Sequence, residues 1–158
     1  MPAKKRMIEV GEDAEITAYF YSHAVPARGR FVLAHGAGAD QSHPFMKLFG
    51  EGLASRGIET VTFNFLYTER KKKAPDPAPV LENCYRAVVK AVMNEKGAPC
   101  FIGGKSMGGR IASQIAAAGE KVQGLIFLGY PLHPPGKPEQ LRVAHWPKIA
   151  MPLLFVQG

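Results

Sequence analysis

Apolar positions along this chain fall into two patterns, and the two alternate. Arg30–Ala34, Ile58–Phe65, Pro99–Ile102 and Val122–Leu128 read as strands; the near-continuous apolar run of Phe31-Val32-Leu33-Ala34 is the form taken by a strand covered on both faces. Between them lie segments with apolar residues at helical spacing. Pro44–Arg56 places Phe45, Phe49 and Leu53 on one face, with Ser42 as the expected cap and Gly57 as the stop. Pro79–Lys96 does the same with Leu81, Cys84, Val88 and Val92, and Gly97 follows. A third helix runs from just after Ser106 to Ala118, and its Gly109, Ala112 and Ala116 are small enough to let it press close to a sheet.

The two ends read differently. Arg6–Val10 and Glu15–Tyr21 flank a Gly11-Glu12-Asp13 turn, and the second alternates Ile16, Ala18 and Phe20 with Thr17, Tyr19 and Tyr21. That suits an antiparallel strand pair at a sheet edge. Val25–Gly29 is a turn-rich link, and Tyr67–Pro79 is a loop, basic and then rich in proline. Gly129–Pro138 holds too many prolines for helix or strand, Glu139–His145 suits a helical turn, and Pro152–Gln157 is a final strand. Strands alternating with helices predict an α/β fold with a doubly wound, mostly parallel sheet, in one domain over residues 1–158.

In such sheets ligands bind beyond the carboxyl ends of the strands. The chemically suggestive residues fall there. Gly104-Lys105-Ser106-Met107-Gly108 fits G-x-S-x-G between a strand and a helix, which is the setting of a nucleophile elbow. The turn is sharp, so Gly104 and Gly108 must lack side chains, and Ser106 would stand at a helix N-terminus that favours negative charge. Gly104-Lys105-Ser106 also reads G-K-S, but a P-loop needs a glycine where Pro99 stands. His35-Gly36-Ala37-Gly38 follows the first parallel strand. Its small residues leave a backbone N–H open to an oxyanion, and the expected donors are Ala37 and Met107. His35, Lys105 and His133 are candidates for the substrate side.

Charge and composition add less. The net charge is +7, much of it in Lys4-Lys5-Arg6 and Arg70–Lys73, and no nucleic-acid motif accompanies it. A nucleic-acid partner is therefore not expected; the second cluster, on the same rim as Ser106, would favour an anionic substrate. The two cysteines, Cys84 and Cys100, suggest neither a disulfide framework nor a metal site. No apolar run is long enough to span a membrane and no signal peptide is visible, so a cytoplasmic protein without cofactor or metal is expected.

From its first strand to its last the chain resembles an α/β-hydrolase. More narrowly it is similar to the predicted hydrolases related to testis-expressed protein 30 and to a histone-acetyltransferase-complex subunit. The resemblance is carried by His35–Gly38, Pro77–Glu82, Gly104–Arg110, Gly129–Arg142 and Leu154–Gly158. Dienelactone hydrolases are more distantly similar, with Cys where this chain has Ser106. The resemblance implies a serine hydrolase acting on an ester or other acyl substrate. It also implies that a catalytic acid and then a histidine should follow the nucleophile, beginning directly after Gly158. After Ser106 the chain has only Glu120, Glu139, His133 and His145 as acids and histidines, and Asp40 and Asp76 sit in no recruiting motif. The expectation is a C-terminally truncated domain, close to inactive as given. The competing expectation is a non-catalytic hydrolase-like module in a protein complex.

Overall fold

The computed structural model describes residues 2–23, 26–95 and 97–158. Seven strands form a single sheet in the order β1-β2-β4-β3-β5-β6-β7. The strands are β1 (Lys4–Glu9), β2 (Glu15–Tyr21), β3 (Gly29–Ala34), β4 (Ile58–Phe63), β5 (Cys100–Lys105), β6 (Gly124–Leu128) and β7 (Leu153–Val156). From β4 to β7 every pairing is parallel; β1 and β2 are antiparallel additions. The helices are α1 (Pro44–Ala54), α2 (Leu66–Glu69), α3 (Ala78–Met93) and α4 (Met107–Ala117).

The chain leaves β3 for β4 on one side and returns through α3 to β5 on the other, so the winding reverses at β3. At that point Ala34 of β3 pairs with Gly104 of β5. A crevice opens at such a reversal, because the two connections depart in opposite directions. The buried side chains divide into two clusters. The larger joins the sheet to α3 and α4 through Val32, Ile102, Val88 and Ile111. The smaller, Phe31, Leu33, Met46 and Leu128, lies under α1.

Local details correct the expectations in several places. Ser42 does not cap α1: its N–H donates to Asp40 Oδ1 at 2.7 Å, and His43 takes the cap, its Nδ1 accepting from Phe45 N–H at 3.2 Å. β4 ends at Phe63, and Leu66–Glu69 coils into α2 where a loop was expected. Glu139–His145 is not helical; the turn forms later, as a 3-10 turn at Trp146–Lys148, where Pro147 presets the backbone. The antiparallel pair β1–β2 does form one edge of the sheet, with β1 outermost and β2 between β1 and β4. Lys96 and Val25, the expected helix end and link start, lie outside the described residues. β7 does form the far edge, with Leu153, Leu154, Phe155 and Val156 all exposed.

Candidate active site

Ser106 is built by close packing beneath it. Strand β5 carries Gly103 and Gly104 where its neighbours come near. A Cβ on Gly103 would lie 1.8 Å from Ile126 O, and one on Gly104 would lie 2.4 Å from Ala34 O. A Cβ on Gly108, in the first turn of α4, would also stand 2.4 Å from Ala34 O. Contacts under 3 Å do not occur between real atoms of these types, so the strand-to-helix turn can be this tight only with glycine at each position. The expected pair, Gly104 and Gly108, meets backbone as anticipated; Gly103 is more constrained than either.

The turn forces Ser106 to φ 50°, ψ −115°. An L-residue pays about 1–3 kcal/mol for such a conformation. It persists because Ser106 N–H donates to Leu128 O at 3.2 Å and its own carbonyl accepts from Arg110 N–H at 3.1 Å. Ser106 thereby caps α4 and faces a cavity of about 400 Å³. Ala37, Met107, Leu81, Asp76, Arg110, His133 and Arg142 line the same cavity, among others. Among the described residues, neither Ala37 N–H nor Met107 N–H donates to another backbone group. Both residues line the cavity beside Ser106.

The loop that carries Ala37 is held from outside. Gln41, almost fully buried, ties the loop down: its backbone N–H donates to Asn64 Oδ1 at 3.0 Å and its side-chain Nε2 to Thr17 O at 3.0 Å. Glu69 of α2 completes this clasp by accepting from Thr17 N–H and Asn64 Nδ2. Asp40 accepts from the Ser42 hydroxyl and N–H, and these hold its carboxyl below the usual range against the opposing effect of burial. These residues were not marked by the chain's pattern. Polar side chains between two apolar runs, able to close a turn, were the available signal.

Tyr85 was also unmarked. It sits on the apolar face of α3, fully buried, and its hydroxyl reaches the main chain of the elbow strand. It accepts from Gly103 N–H at 2.9 Å and lies 2.6 Å from Gly103 O and 2.8 Å from Val32 O. A phenol on a buried helix face must find such partners, which is the clue its position offered.

The candidates for the substrate side separate. His133 lines the Ser106 cavity, with its Nδ1 2.9 Å from Pro134 O. His35 does not. It is fully buried, with Nδ1 2.8 Å from Gly36 O and Nε2 accepting from Phe65 N–H at 3.3 Å. Burial lowers its pKa, outweighing Gly36 and Asp40, so the ring stays neutral and braces the loop. Lys105 points elsewhere, with Nζ 4.4 Å from the centre of the Phe45 ring. The basic run also misses this cavity. Lys71, Lys72 and Lys73 line another, of about 780 Å³, with Gly38, His43 and Tyr67. Among the described residues no group of three His, Cys, Asp or Glu side chains is placed to hold a metal ion, and no helix is long and apolar enough to cross a membrane.

Among the described residues no imidazole or carboxylate is hydrogen-bonded to the Ser106 hydroxyl. His145, the other histidine after it, is occupied: its Nε2 lies 2.7 Å from Ser113 Oγ. The site thus presents a strained serine, two free N–H groups and a shaped cavity.

A family model described as "Alpha/beta hydrolase domain" matches residues 27–158. Solved structures share the fold. An alpha-beta serine hydrolase homologue from Coxiella burnetii superposes with a TM-score of 0.80 at 20% identity, over 100% of this chain and 74% of its own. A dienelactone hydrolase from Anabaena variabilis gives 0.77 at 18% identity, over 98% and 73%. A serine hydrolase without a lid, from Xanthomonas campestris, gives 0.71 at 17% identity, over 99% and 84%.

Proposed function

The chain belongs to the alpha/beta hydrolase domain family, and from that premise we propose that it is a serine hydrolase with Ser106 as nucleophile, acting on an ester or other acyl substrate. The observation that carries the reading is the backbone of Ser106. A non-glycine residue is held at φ 50° at the mouth of a cavity, at the start of a helix, where a relaxed turn would need no such strain. In the reaction the Ser106 oxygen bonds to the acyl carbon while its proton passes to a base. The carbonyl oxygen gains the negative charge and turns to the N–H groups of Ala37 and Met107. Collapse of the tetrahedral adduct expels the alcohol or thiol and leaves an acyl-serine, which water then cleaves.

The base is the part not bonded to Ser106 within the described residues. Loss of nucleophile or base in serine proteases lowers turnover about a million-fold, so turnover by these residues alone is expected to be weak. The narrower kinship with testis-expressed protein 30-like proteins, carried by the Gly129–Arg142 run, belongs to the same reading, as does a cytoplasmic location. Fluorophosphonate treatment tests the core of it. Slow labelling that maps to Ser106, is lost in Ser106→Ala, and accelerates when imidazole is added supports a nucleophile short of its base. A folded chain whose Ser106 stays unlabelled under both conditions would favour the non-catalytic module in a complex.

A further inference from the structure

Two guanidinium groups line the Ser106 cavity, and among the described residues neither has a carboxylate partner. Arg110 comes from the first turns of α4 and Arg142 from the segment after the proline-rich loop. The ion pairs of the described residues are Arg6–Glu95, Arg30–Glu59, Arg30–Glu95 and Arg86–Glu82, and they use neither group. Arg110 Nε is buried with no hydrogen-bond partner at all. Asp76 lines the same cavity, but it forms no ion pair with either guanidinium, and its Oδ2 is buried without a hydrogen-bond partner.

This placement works against simple electrostatics. Both groups are cations, and Arg110 stands near the positive end of α4. Burial makes Arg110 hold its proton less tightly, Arg142's charge adds to the effect, and Tyr130 only partly offsets it. Yet the backbone fixes both residues. Arg142 N–H donates to Leu132 O at 2.7 Å, and its carbonyl accepts from the Tyr130 hydroxyl at 2.8 Å. The carbonyl of Arg110 accepts from Ser113 Oγ at 2.6 Å, and Ser113 is in turn close to His145. Convergent cations held without counter-ions await an anion, and guanidinium forks match carboxylate and phosphate oxygens.

We propose that Arg110 and Arg142 form an anion subsite beside Ser106, which selects acyl substrates bearing a carboxylate or phosphate away from the reacting carbonyl. The substrate statement rests on the serine-hydrolase reading; the anion site stands without it. Carbonyl and anion would be bound at once, the first at Ala37 and Met107, the second at the two arginines.

The test has two arms. In the first, glutarate, inorganic phosphate and neutral glutaramide are titrated calorimetrically at low salt into the chain and its Arg142→Gln, Arg110→Lys and Ser106→Ala variants. Glutarate or phosphate should bind, glutaramide should not, and Arg142→Gln should weaken the anion at least about tenfold. Ser106→Ala should leave it unchanged. Arg110→Lys keeps the charge and loses the fork, so it should also bind more weakly. The anion that binds tighter tells carboxylate from phosphate. The same anion should slow phenylglyoxal modification of Arg110 and Arg142 in the unaltered chain, a readout that needs no variant to fold. No anion binding, or equal binding by the parent chain and Arg142→Gln with no protection of the arginines, overturns the proposal. The second arm is the Ser106 labelling. Anion binding without labelling sinks the hydrolase reading and keeps the subsite; labelling without anion binding does the reverse.

Discussion

The loop after β3 contributes to two cavities that share a positive charge but differ in construction. Gly38, Ala39 and Asp40 line the larger, with three consecutive lysines. Ala37 lines the smaller, with Ser106 and two arginines drawn from distant parts of the chain. The lysines are exposed and sit on a turn after α2; Lys71 takes a φ of 56° there. Around Ser106, by contrast, three glycines have no room for a methyl group. A charge run in sequence is therefore a poor guide to where charge converges in space. What distinguishes the Ser106 cavity is that its surroundings are packed to hold one backbone conformation.

The largest effect should separate the two cavities by chemistry. Ser106→Ala should abolish site-specific fluorophosphonate labelling, whereas replacing Lys71, Lys72 and Lys73 together by Gln should change its rate by no more than about threefold, as expected of exposed charges screened by salt. A large loss in the lysine variant would return the basic run to the active site.

Packing gives the next contrast. Gly103→Ala and Gly108→Ala each press a methyl group on backbone, and each should lower unfolding free energy by about 3 kcal/mol or more. Gly38→Ala, in the lysine-lined cavity, meets nothing within 4 Å and faces only its φ of 74°, a cost of about 1–2 kcal/mol. Urea unfolding curves measure all three, and equal losses would mean that the elbow relaxes more readily than its contacts imply.

Tyr85→Phe should be milder and confined to the elbow side. It removes the acceptor of Gly103 N–H, and leaving that group buried and unpaired costs about 1–3 kcal/mol. The same technique reads it, and a neutral result would mean that the strand finds another partner.

The smallest effect concerns His35, which supports the loop common to both cavities. Its pKa is lowered in the fold from the ordinary 6.5, mainly by burial. The unfolded chain then binds the proton first, so stability is full above about pH 6.5 and is lost as pH falls toward the folded value, by at most about 1.4 kcal/mol per pH unit. His145 is lowered as well, by burial and by Arg110, and acts in the same direction. Unfolding measured from pH 7 to 5 should show the decline, and His35→Gln should flatten it. A profile unchanged by His35→Gln would place the titration elsewhere.

These contrasts also show what the sequence makes legible. The parallel strands and three long helices follow from apolar runs and helical spacing, because burial on two faces or one stripe leaves that trace directly. The elbow was visible in Gly104, Ser106 and Gly108 because their spacing forms a recognisable pattern between a strand and a helix, although the backbone that squeezes both glycines, Ala34 O, lies on a distant strand. The Ser42 cap failed because α1 begins at Pro44, which puts His43 in the cap position, while the Ser42 hydroxyl donates back to Asp40. Gly103, Tyr85 and the clasp of Gln41, Asn64 and Glu69 were not legible for a common reason. Each acts on a strand or loop far away in the chain, so its meaning appears only when the sheet brings the partners together. Arg110 and Arg142 are the same case, hidden because neither belongs to a cluster of charges.

The hydroxyl of Tyr85 makes the centre of the sheet a clock. An amide whose acceptor is a fully buried phenol has no water to trade protons with until the whole layer of α3 and β5 comes apart. The Gly103 amide should therefore be among the last in the molecule to exchange with deuterium, on the timescale of global unfolding. Its lifetime in heavy water would report, from a single resonance, how rarely the ground beneath Ser106 gives way.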